Sequence, residues 1–297
     1  MKLGYSVPNN QGVDAVGNLV ELATEAERLG YNSVWVSEHL FHAEYVAKRL
    51  GDRPYFDPLT VLTAIACSTS RIRLGTSVLV LPWHHPARLG KMIATLDHLS
   101  QGRVDLGVGV AIAEEEFNNL NISFADRGQR TDDVLASLEA LWYQDVPEHD
   151  GPYYKFSGQR FEPKPVQTRL PVHVGGGAPP ALRRVAKFGQ GWHALGKSPN
   201  ELGADLATLR DSMGVKMEDL HVSIRCVVDL VTDPDYEPWD KPFADRRTLK
   251  GTPEEVCATA KSYRDAGVDE LVLDFGTRDI DQNRKNLVEL AELLRDV

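Results

Sequence analysis

The segment L-G-Y-N-S-V-W-V-S-E-H, residues 29–39, contains the unit from which the rest of the chain is built. Gly30 follows an amphipathic stretch, at the position where a helix needs a left-handed residue after its last turn. The apolar run Ser33–Ser37 follows as a strand, and the polar pair Glu38-His39 comes directly after it. The same junction recurs at Phe188-Gly189-Gln190 and at Ala266-Gly267-Val268. Repeated alternation of helix and strand predicts a parallel sheet covered by helices.

Eight short apolar, β-branched runs, separated by longer amphipathic stretches, are predicted to form strands. They are Lys2–Val7, Ser33–Ser37, Arg73–Val80, Val104–Val110, Val172–Gly175, Gly191–Leu195, His221–Leu230 and Glu270–Phe275. Helices are predicted to begin where an N-cap residue precedes a proline at the first helical position. These sites are Asp57-Pro58, Ser198-Pro199 and Thr252-Pro253, and Glu201 and Glu255 complete capping boxes at the last two.

The length of the chain bears on whether the sheet closes. Eight strands with their helices in 297 residues leave little room for a second domain, so we predict one α/β domain over residues 1–297, a (β/α)8 TIM barrel. An open dinucleotide-binding sheet would need a third glycine in Gly107–Ile112, which is absent. Irregular stretches are predicted as loop insertions at the C-terminal face of the barrel. They are Leu40–Phe56, Ala111–Asp126, Asp145–Leu170 and Thr232–Lys250.

Composition argues against several classes of partner. The formal net charge of -10, with 26% charged residues, gives an acidic surface that is unsuited to phosphate backbones and anionic membranes. Cys67, Cys226 and Cys257 are far apart and lack the spacing of a disulfide framework or a zinc site. The N-terminal segment has no apolar signal core, and no run is long enough to span a bilayer. We therefore expect a cytoplasmic protein that binds neither nucleic acid, membrane nor metal.

In a barrel, polar residues directly after the carboxyl end of a strand are the first catalytic candidates. Glu38 and His39 stand at such a position, after the second strand. A carboxylate beside an imidazole can give or take a proton near neutral pH. The same two residues would equally suit a cap on the strand or a contact with loop backbone.

Other polar residues of the upper loops are predicted to have structural roles. His84-His85 lack the spacing of metal ligands, and His85 before Pro86 is predicted to help start the helix Ala87–Leu99. The acidic run Glu114–Glu116 is predicted to be a solvated helical face, with Phe117 beside it as a possible cover for a pocket.

Two glycine-rich segments suggest a binding site for a flat, phosphorylated ligand. Gly107 and Gly109 would let such a ligand approach the fourth strand, although glycine there can also serve a bend. The fifth strand ends in Gly175–Gly177, and a helix follows. A glycine turn at a helix N-terminus exposes unpaired N–H groups and the positive end of the dipole, so phosphate is the predicted occupant. The alternative is a sharp turn without a ligand.

Several ordered motifs resemble the luciferase-like monooxygenase superfamily, and more narrowly its deazaflavin-dependent branch, which uses coenzyme F420. They are Glu38-His39, Arg71–Val78 (R-I-R-L-G-T-S-V), Asp97–Gly109 (D-H-L-S-Q-G-R-V-D-L-G-V-G), Arg127–Thr131 and Pro171–Gly177 with Gly189–Trp192. The resemblance extends over nearly the whole chain. It implies a bacterial luciferase-like barrel and suggests a homodimer.

The resemblance implies roles only at matching positions. His39 would act as general acid or base near the reactive carbon of the deazaflavin, with Glu38 beside it orienting the ring system. Ser77-Val78 matches a point where such proteins often have a non-prolyl cis peptide that supports one face of the ring. The remaining implied contacts are Gly107, Gly109 and Val110 with the ring, and Gly175, Gly176 and Gly177 with the phosphate.

The leading prediction is an F420-dependent oxidoreductase that transfers a hydride between the deazaflavin and a small organic substrate, which the sequence does not identify. One alternative is a two-component monooxygenase that uses reduced FMN and oxygen on the same fold. Another is a non-catalytic protein that only binds a flavin or deazaflavin. The intact Glu38-His39 pair counts against the last, since a pure binder needs no proton-transfer group.

Overall fold

A closed barrel of parallel strands forms the centre of the molecule. The computed structural model describes residues 1–177, 179–230 and 247–297. Its strands are β1 (Lys2–Ser6), β2 (Ser33–Val36), β3 (Arg73–Thr76), β4 (Leu79–Val80), β5 (Val104–Gly109), β6 (His149–Asp150), β7 (Lys155–Phe156), β8 (Val172–Gly175), β9 (Gly191–Leu195), β10 (His221–Leu230), β11 (Arg247–Gly251) and β12 (Glu270–Asp274). Pairing runs from β1 through β2, β3, β5, β8, β9, β10 and β12, and β12 pairs with β1, which closes the predicted eight-stranded barrel.

The third predicted strand differs most from its prediction. Arg73–Val80 is divided into β3 and β4 at Ser77-Val78, whose peptide bond is cis, as the family resemblance implied. β3 pairs with the beginning of β5, and β4 pairs with the end of β5. The prediction of one continuous strand was wrong because the apolar pattern continues through a break in the hydrogen-bonded ladder.

The helices cover the outside of the barrel. They are α1 (Val16–Leu29), α2 (Glu44–Leu50), α3 (Pro58–Ser68), α4 (Pro86–Ser100), α5 (Glu114–Asn119), α6 (Arg127–Tyr143), α7 (Pro179–Phe188), α8 (Pro199–Met213), α9 (Pro253–Asp265) and α10 (Ile280–Leu293). The predicted caps are confirmed: Asp57 accepts a hydrogen bond from the Thr60 N–H at 2.8 Å, and Ser198 and Thr252 form capping boxes. The His85 ring also caps α4, accepting from the Ala87 N–H at 3.3 Å.

Two of the three predicted glycine junctions have the expected backbone. Gly30 and Gly267 have positive φ angles of 91° and 103°, which end α1 and α9 before a strand resumes. The prediction of a left-handed Gly189 was wrong, because Gly189 is not among the residues with positive φ. Glycine is needed there for packing instead: a Cβ atom would lie 3.0 Å from the carbonyl oxygens of Val185 and Gly191.

The predicted loop insertions contain short helices and strands. Leu40–Phe56 contains α2, and Ala111–Asp126 contains α5. Asp145–Leu170 contains the antiparallel pair of β6 and β7. Most of Thr232–Lys250 lies outside the described residues, and its end forms part of β11, which pairs with the upper part of β10. The insertions are therefore partly ordered extensions of the barrel rim.

The apolar core lies between the strands and the surrounding helices. Leu62 on α3 and Ile93 on α4, for example, are fully buried. The barrel interior holds larger and more polar side chains: Trp35 on β2 is fully buried and stacks on His193 of β9, with ring centroids 4.6 Å apart. Because these side chains fill the barrel interior, the candidate site lies at the carboxyl edge of the barrel.

Two searches were confined to the residues that the structure describes. Within them, no helix combines the length and apolar character that crossing a bilayer requires. Nor do three or more His, Cys, Asp or Glu side chains group there in a way that could hold a metal ion. The homodimer and the single-domain organisation stay predictions.

Candidate active site at the carboxyl edge of the barrel

The predicted site residues follow four neighbouring strands. His39 comes after β2, Ser77-Val78 after β3, Val110 after β5 and Gly175–Gly177 at the end of β8. These strands are parallel and pair in that order, so their carboxyl ends meet at one edge of the barrel.

Val78 fills the space that two of the predicted glycines leave open. A Cβ atom on Gly109 would lie 2.5 Å from Val78 Cγ2, and one on Gly175 would lie 2.9 Å from Val78 Cγ1. We call Val78, Gly109 and Gly175 the Val78 ledge. Gly107 has a different reason to be glycine, because a Cβ there would meet the Thr76 carbonyl oxygen at 1.7 Å. Val110 is partly buried at the end of β5, next to the ledge in the chain.

His39 is held between two side chains that sequence reasoning did not place there. Its Nδ1 atom lies 2.5 Å from Glu116 Oε2, and its Nε2 atom lies 2.5 Å from the hydroxyl oxygen of Tyr45. The other oxygen of Glu116, Oε1, accepts hydrogen bonds from the backbone N–H groups of Leu40 (3.0 Å) and Phe41 (3.1 Å). The histidine is thus oriented from both sides of its ring.

The prediction of a solvated face for Glu114–Glu116 was wrong for Glu116. Glu114 and Glu115 are exposed, but Glu116 is fully buried together with Phe117. Burial of a charged carboxylate is tolerated when hydrogen bonds satisfy it, and the two amide N–H groups and the His39 ring do so. A clue was available in the sequence, since Glu116 directly precedes the apolar Phe117, but it did not identify the partner.

Glu38 points to the loop after β4 and not to the His39 ring nitrogens. It is 4% exposed, and its Oε2 atom accepts from the Val80 N–H at 2.6 Å. The His84 Nε2 atom lies 2.8 Å from its Oε1 atom. Burial by itself lowers the pKa of His84, but the hydrogen bond and charge of Glu38 raise it above the ordinary value. Both oxygens of Glu38 are therefore engaged by protein groups.

Beneath the ledge, Arg225 links the ends of three strands. Its guanidinium Nη2 atom lies 2.7 Å from Asp274 on β12, and Nη1 donates to the Ser37 hydroxyl at 2.8 Å. The Ser77 hydroxyl lies 2.8 Å from Nε2 of His193. Burial and nearby cationic groups hold the pKa of His193 well below its usual range, so this ring is neutral near pH 7. Sequence patterning placed these residues on strands but gave no sign of which faced inward.

Aromatic rings surround His39. Ring centroids of Tyr45, Tyr55 and Trp83 lie 5.4, 5.5 and 6.3 Å from its own. Phe117 packs against Trp83 at 5.8 Å, which agrees with its predicted role as a cover. The buried Nε1 atom of Trp83 has no hydrogen-bond partner among the described residues. These rings lower the water content around the histidine and leave one indole donor unused.

The predicted phosphate turn has a cation beside it. Gly176 has a positive φ of 97°, and a Cβ atom on Gly177 would lie only 1.9 Å from Cε of Lys197. The missing side chain at Gly177 therefore makes room for the lysine, whose ammonium also pairs with Asp205 at 2.5 Å. The Gly176 N–H itself donates to the His193 carbonyl oxygen at 3.3 Å, so what the turn offers a phosphate is a helix N-terminus and an ammonium.

A separate cavity lies under the insertion that carries β6 and β7. It has a volume of about 350 Å³, and its walls include Tyr153, Tyr154 and Phe161 but not His39 or the Val78 ledge. His85, at the start of α4, also lines it. The cavity is distinct from the residues predicted to carry the chemistry.

Comparisons with known proteins bear on the fold and the family of the chain. The family model described as "Luciferase-like monooxygenase" matches residues 1–241. The chain is similar to an uncharacterized protein of Mycobacterium tuberculosis, at 36% identity over 179 residues, which span 56% of this chain and 64% of that protein's length. It is also similar to an F420-dependent glucose-6-phosphate dehydrogenase of Amycolatopsis mediterranei, at 27% identity over 92% of each chain. Among solved structures, monooxygenase RslO1 from Streptomyces bottropensis superposes with a TM-score of 0.83 at 25% identity, covering 99% of both chains.

Proposed function

We propose that this chain, which belongs to the luciferase-like monooxygenase family, is an F420-dependent oxidoreductase that transfers a hydride between the deazaflavin and a small organic substrate. The observation that carries the proposal is the His39–Glu116 pair at the same barrel edge as the Val78 ledge. An oxidoreductase of this family needs a proton-transfer group beside a flat cofactor. The barrel edge would supply His39 as that group and the Val78 ledge as the surface for the ring. The similarity to the Amycolatopsis dehydrogenase over most of both chains supports the deazaflavin over FMN.

The residues present suit a ring system with a phosphorylated tail. Val78, seated between Gly109 and Gly175, would contact one face of the ring, with Gly107 and Val110 on the adjoining strand. Gly175, Gly176 and Gly177 would hold the phosphate at the N-terminal end of α7, and Lys197 would add a charge-assisted contact. When bound, the deazaflavin supplies a carbon centre that accepts or donates hydride.

The protein's own contribution is to orient the substrate and to handle the accompanying proton. Glu116 orients the His39 ring through its contact with Nδ1, as a carboxylate does for a general-base histidine. Glu38 acts indirectly in this proposal, by holding the loop that carries Val80 and His84. The aromatic rings around His39 exclude water, which would otherwise compete for the hydride and the proton.

The proposal is tested by titrating purified protein with oxidised F420 and, separately, with FMN, following tryptophan fluorescence. We expect tighter binding of F420. In Gly177→Ala, the new Cβ displaces the Lys197 side chain, so F420 affinity should fall by about tenfold, the loss of one charge-assisted contact. Gly203→Ala is the matched control, because nothing lies within 4 Å of its Cβ position, and it should bind F420 like the wild type.

The possible results separate the alternatives. Tighter binding of FMN, with oxygen consumption when a reductase supplies reduced FMN, would overturn the F420 assignment in favour of the two-component monooxygenase. Binding of neither cofactor would overturn the phosphate site at Gly175–Gly177. F420 binding without hydride transfer, in the wild type as in His39→Ala, would favour a non-catalytic binder.

A further inference from the structure

Both ring nitrogens of His39 are already occupied by protein groups. Nδ1 faces Glu116 and Nε2 faces Tyr45, each at 2.5 Å. The His39 side chain is 17% exposed, and the Glu116 side chain is fully buried. In this arrangement a substrate cannot form a direct hydrogen bond to either nitrogen without displacing one of the two partners.

The direction of each hydrogen bond follows from Glu116. Its Oε1 atom accepts two backbone N–H groups, as an acceptor-only carboxylate does. The Nδ1 atom of His39 must then carry the proton and donate it to Oε2. A neutral imidazole with hydrogen on Nδ1 has a bare lone pair on Nε2, so the Tyr45 hydroxyl donates to it.

Resting on the proposed function, we infer that Glu116, His39 and Tyr45 form a proton relay whose substrate-facing end is the Tyr45 hydroxyl. The order of carboxylate, imidazole and hydroxyl is that of a hydrolase triad, with a phenol in the place of serine. Tyr45 is then the catalytic residue that meets the substrate, and Glu116 is a positioning residue.

The proton balance of the relay is simple. When a substrate with an H–C–X–H unit is oxidised, the hydrogen on carbon would leave as hydride to the bound deazaflavin, and the proton on X goes to Tyr45 Oη as the phenol's own proton passes to His39 Nε2. The imidazolium that results remains hydrogen-bonded to Glu116 until it releases the proton to solvent. Reduction of a substrate runs through the same steps in reverse.

Both ends of the relay are held by one short helix, α5. Glu116 accepts a hydrogen bond from the backbone of the loop after His39. The neighbouring Glu115 accepts a hydrogen bond from the N–H of Glu44, the first residue of α2, at 3.0 Å. Tyr45 is the next residue on α2, and it is partly buried against the apolar cluster of Ala43, Val46, Leu50 and Ala113. The phenol is therefore positioned by the same element that orients the imidazole.

The relay can be tested without cofactor or substrate by acetylation with N-acetylimidazole, mapped by mass spectrometry. A phenol whose proton can pass to His39 is an activated nucleophile: the acetyl group goes to Tyr45 Oη, and the phenol's proton passes through His39 to the leaving imidazole. We expect Tyr45 to react at least about tenfold faster in the wild type than in Glu116→Gln, in which the imidazole loses its carboxylate partner. Tyr55, whose ring contacts that of His39 edge-on, should react at the same rate in both proteins.

Tyr45→Phe supplies the second readout. Removing the hydroxyl frees the Nε2 atom of His39. We expect the His39 ring to be unreactive toward diethyl pyrocarbonate in the wild type and to become reactive in this variant. Tyr55→Phe is the matched control and should leave His39 protected. In ¹⁵N spectra of wild-type protein the His39 proton should reside on Nδ1.

Three results would overturn the relay: equal acetylation of Tyr45 in wild type and Glu116→Gln, equal reaction of His39 in wild type and Tyr45→Phe, or a proton on Nε2. None depends on a bound cofactor. Failure of F420 to bind would therefore overturn the proposed function and leave these readouts intact, whereas failure of the relay would leave F420 binding unchanged.

Discussion

Glu38 and His39 are adjacent in the chain but serve different halves of the site. His39 faces α5 through Glu116, and Glu38 faces the loop after β4 through Val80 and His84. Successive residues of an extended segment point in opposite directions, so one strand end supplies both a candidate proton-transfer group and a loop anchor. A buried carboxylate with all its bonds inside the protein contributes mainly to the position of that loop.

Glu38→Gln should make stability depend differently on pH. Glu38 raises the pKa of His84 in the folded protein, and a histidine with a raised pKa stabilises the fold below its unfolded pKa of about 6.5 and loses that contribution as pH rises through the folded value. Urea unfolding should therefore show that the variant loses about 1–3 kcal/mol at about pH 5.5 and less at about pH 8.5.

The double variant Glu38→Gln/His84→Gln is the control for this prediction. If the effect arises from the ion pair, the extra loss at low pH should disappear once His84 is also replaced. A loss from Glu38→Gln that is the same at both pH values would show that the backbone bond to Val80, and not the charge on His84, accounts for the stabilisation.

The difference between Glu38 and Glu116 shows what the sequence could reveal about the site. Position after a strand identified Glu38 and His39, because strand ends are read from local patterns. Glu116 lies 77 residues from His39 in the chain, and its burial depends on α5 folding back over the end of β2. Three consecutive acids locally indicate a solvated face, so only the tertiary contact distinguishes the one that is buried.

At the scale of elements, the helix starts follow from local chemistry. The Thr252 hydroxyl accepts the Glu255 N–H at 3.4 Å, and the Glu255 carboxylate accepts the Thr252 N–H at 2.8 Å. Thr252→Ala should reduce the free energy of unfolding by about 1 kcal/mol, because a backbone donor at the start of α9 loses its partner. Thr252→Ser keeps the hydroxyl and should remain close to the wild type in the same urea titration. Equal losses in the two variants would contradict the cap.

The elements that sequence patterns predicted least well are those that depend on distant neighbours. The apolar run Arg73–Val80 predicts one strand, but the ladder with β5 breaks at Ser77-Val78. Gly189 resembles a helix-ending glycine, but close backbone packing explains it instead. Caps and amphipathic faces act over a few residues and were predicted correctly, whereas register and close approach are set by other strands.

At the scale of the whole molecule, the barrel has a second buried polar layer, at the opposite end from the site. Asp105 on β5 pairs with Arg73 at 2.6 Å, and His173 on β8 lies 3.4 Å from the same carboxylate. Glu270 on β12 receives a hydrogen bond from Ser33 and lies 3.5 Å from His221. Burial raises the pKa of Glu270 to about 7, with the charge on Asp105 acting in the same direction. Burial, with the nearby His173, lowers the pKa of His221 to about 4.

These two shifts should act on the stability of the barrel in opposite directions. Glu270 binds its proton more tightly in the folded protein, so its contribution is lost as pH rises from about 4.5 to about 7. His221 binds its proton more weakly in the folded protein, so stability is lost as pH falls from about 6.5 to about 4. The two effects on the free energy of unfolding oppose each other over most of this pH range. Together, Glu270 and His221 should therefore give the wild type little net pH dependence.

Single replacements should therefore expose opposite slopes. In Glu270→Gln only the histidine remains, and the free energy of unfolding should rise by about 2–3 kcal/mol between about pH 4 and pH 6.5. In His221→Gln only the carboxyl remains, and the free energy of unfolding should fall by a similar amount between about pH 4.5 and pH 7. Urea unfolding across this range measures both slopes against the wild type. Slopes of the same sign in the two variants would contradict the pKa shift of Glu270 or that of His221, according to which variant departs from its expected sign.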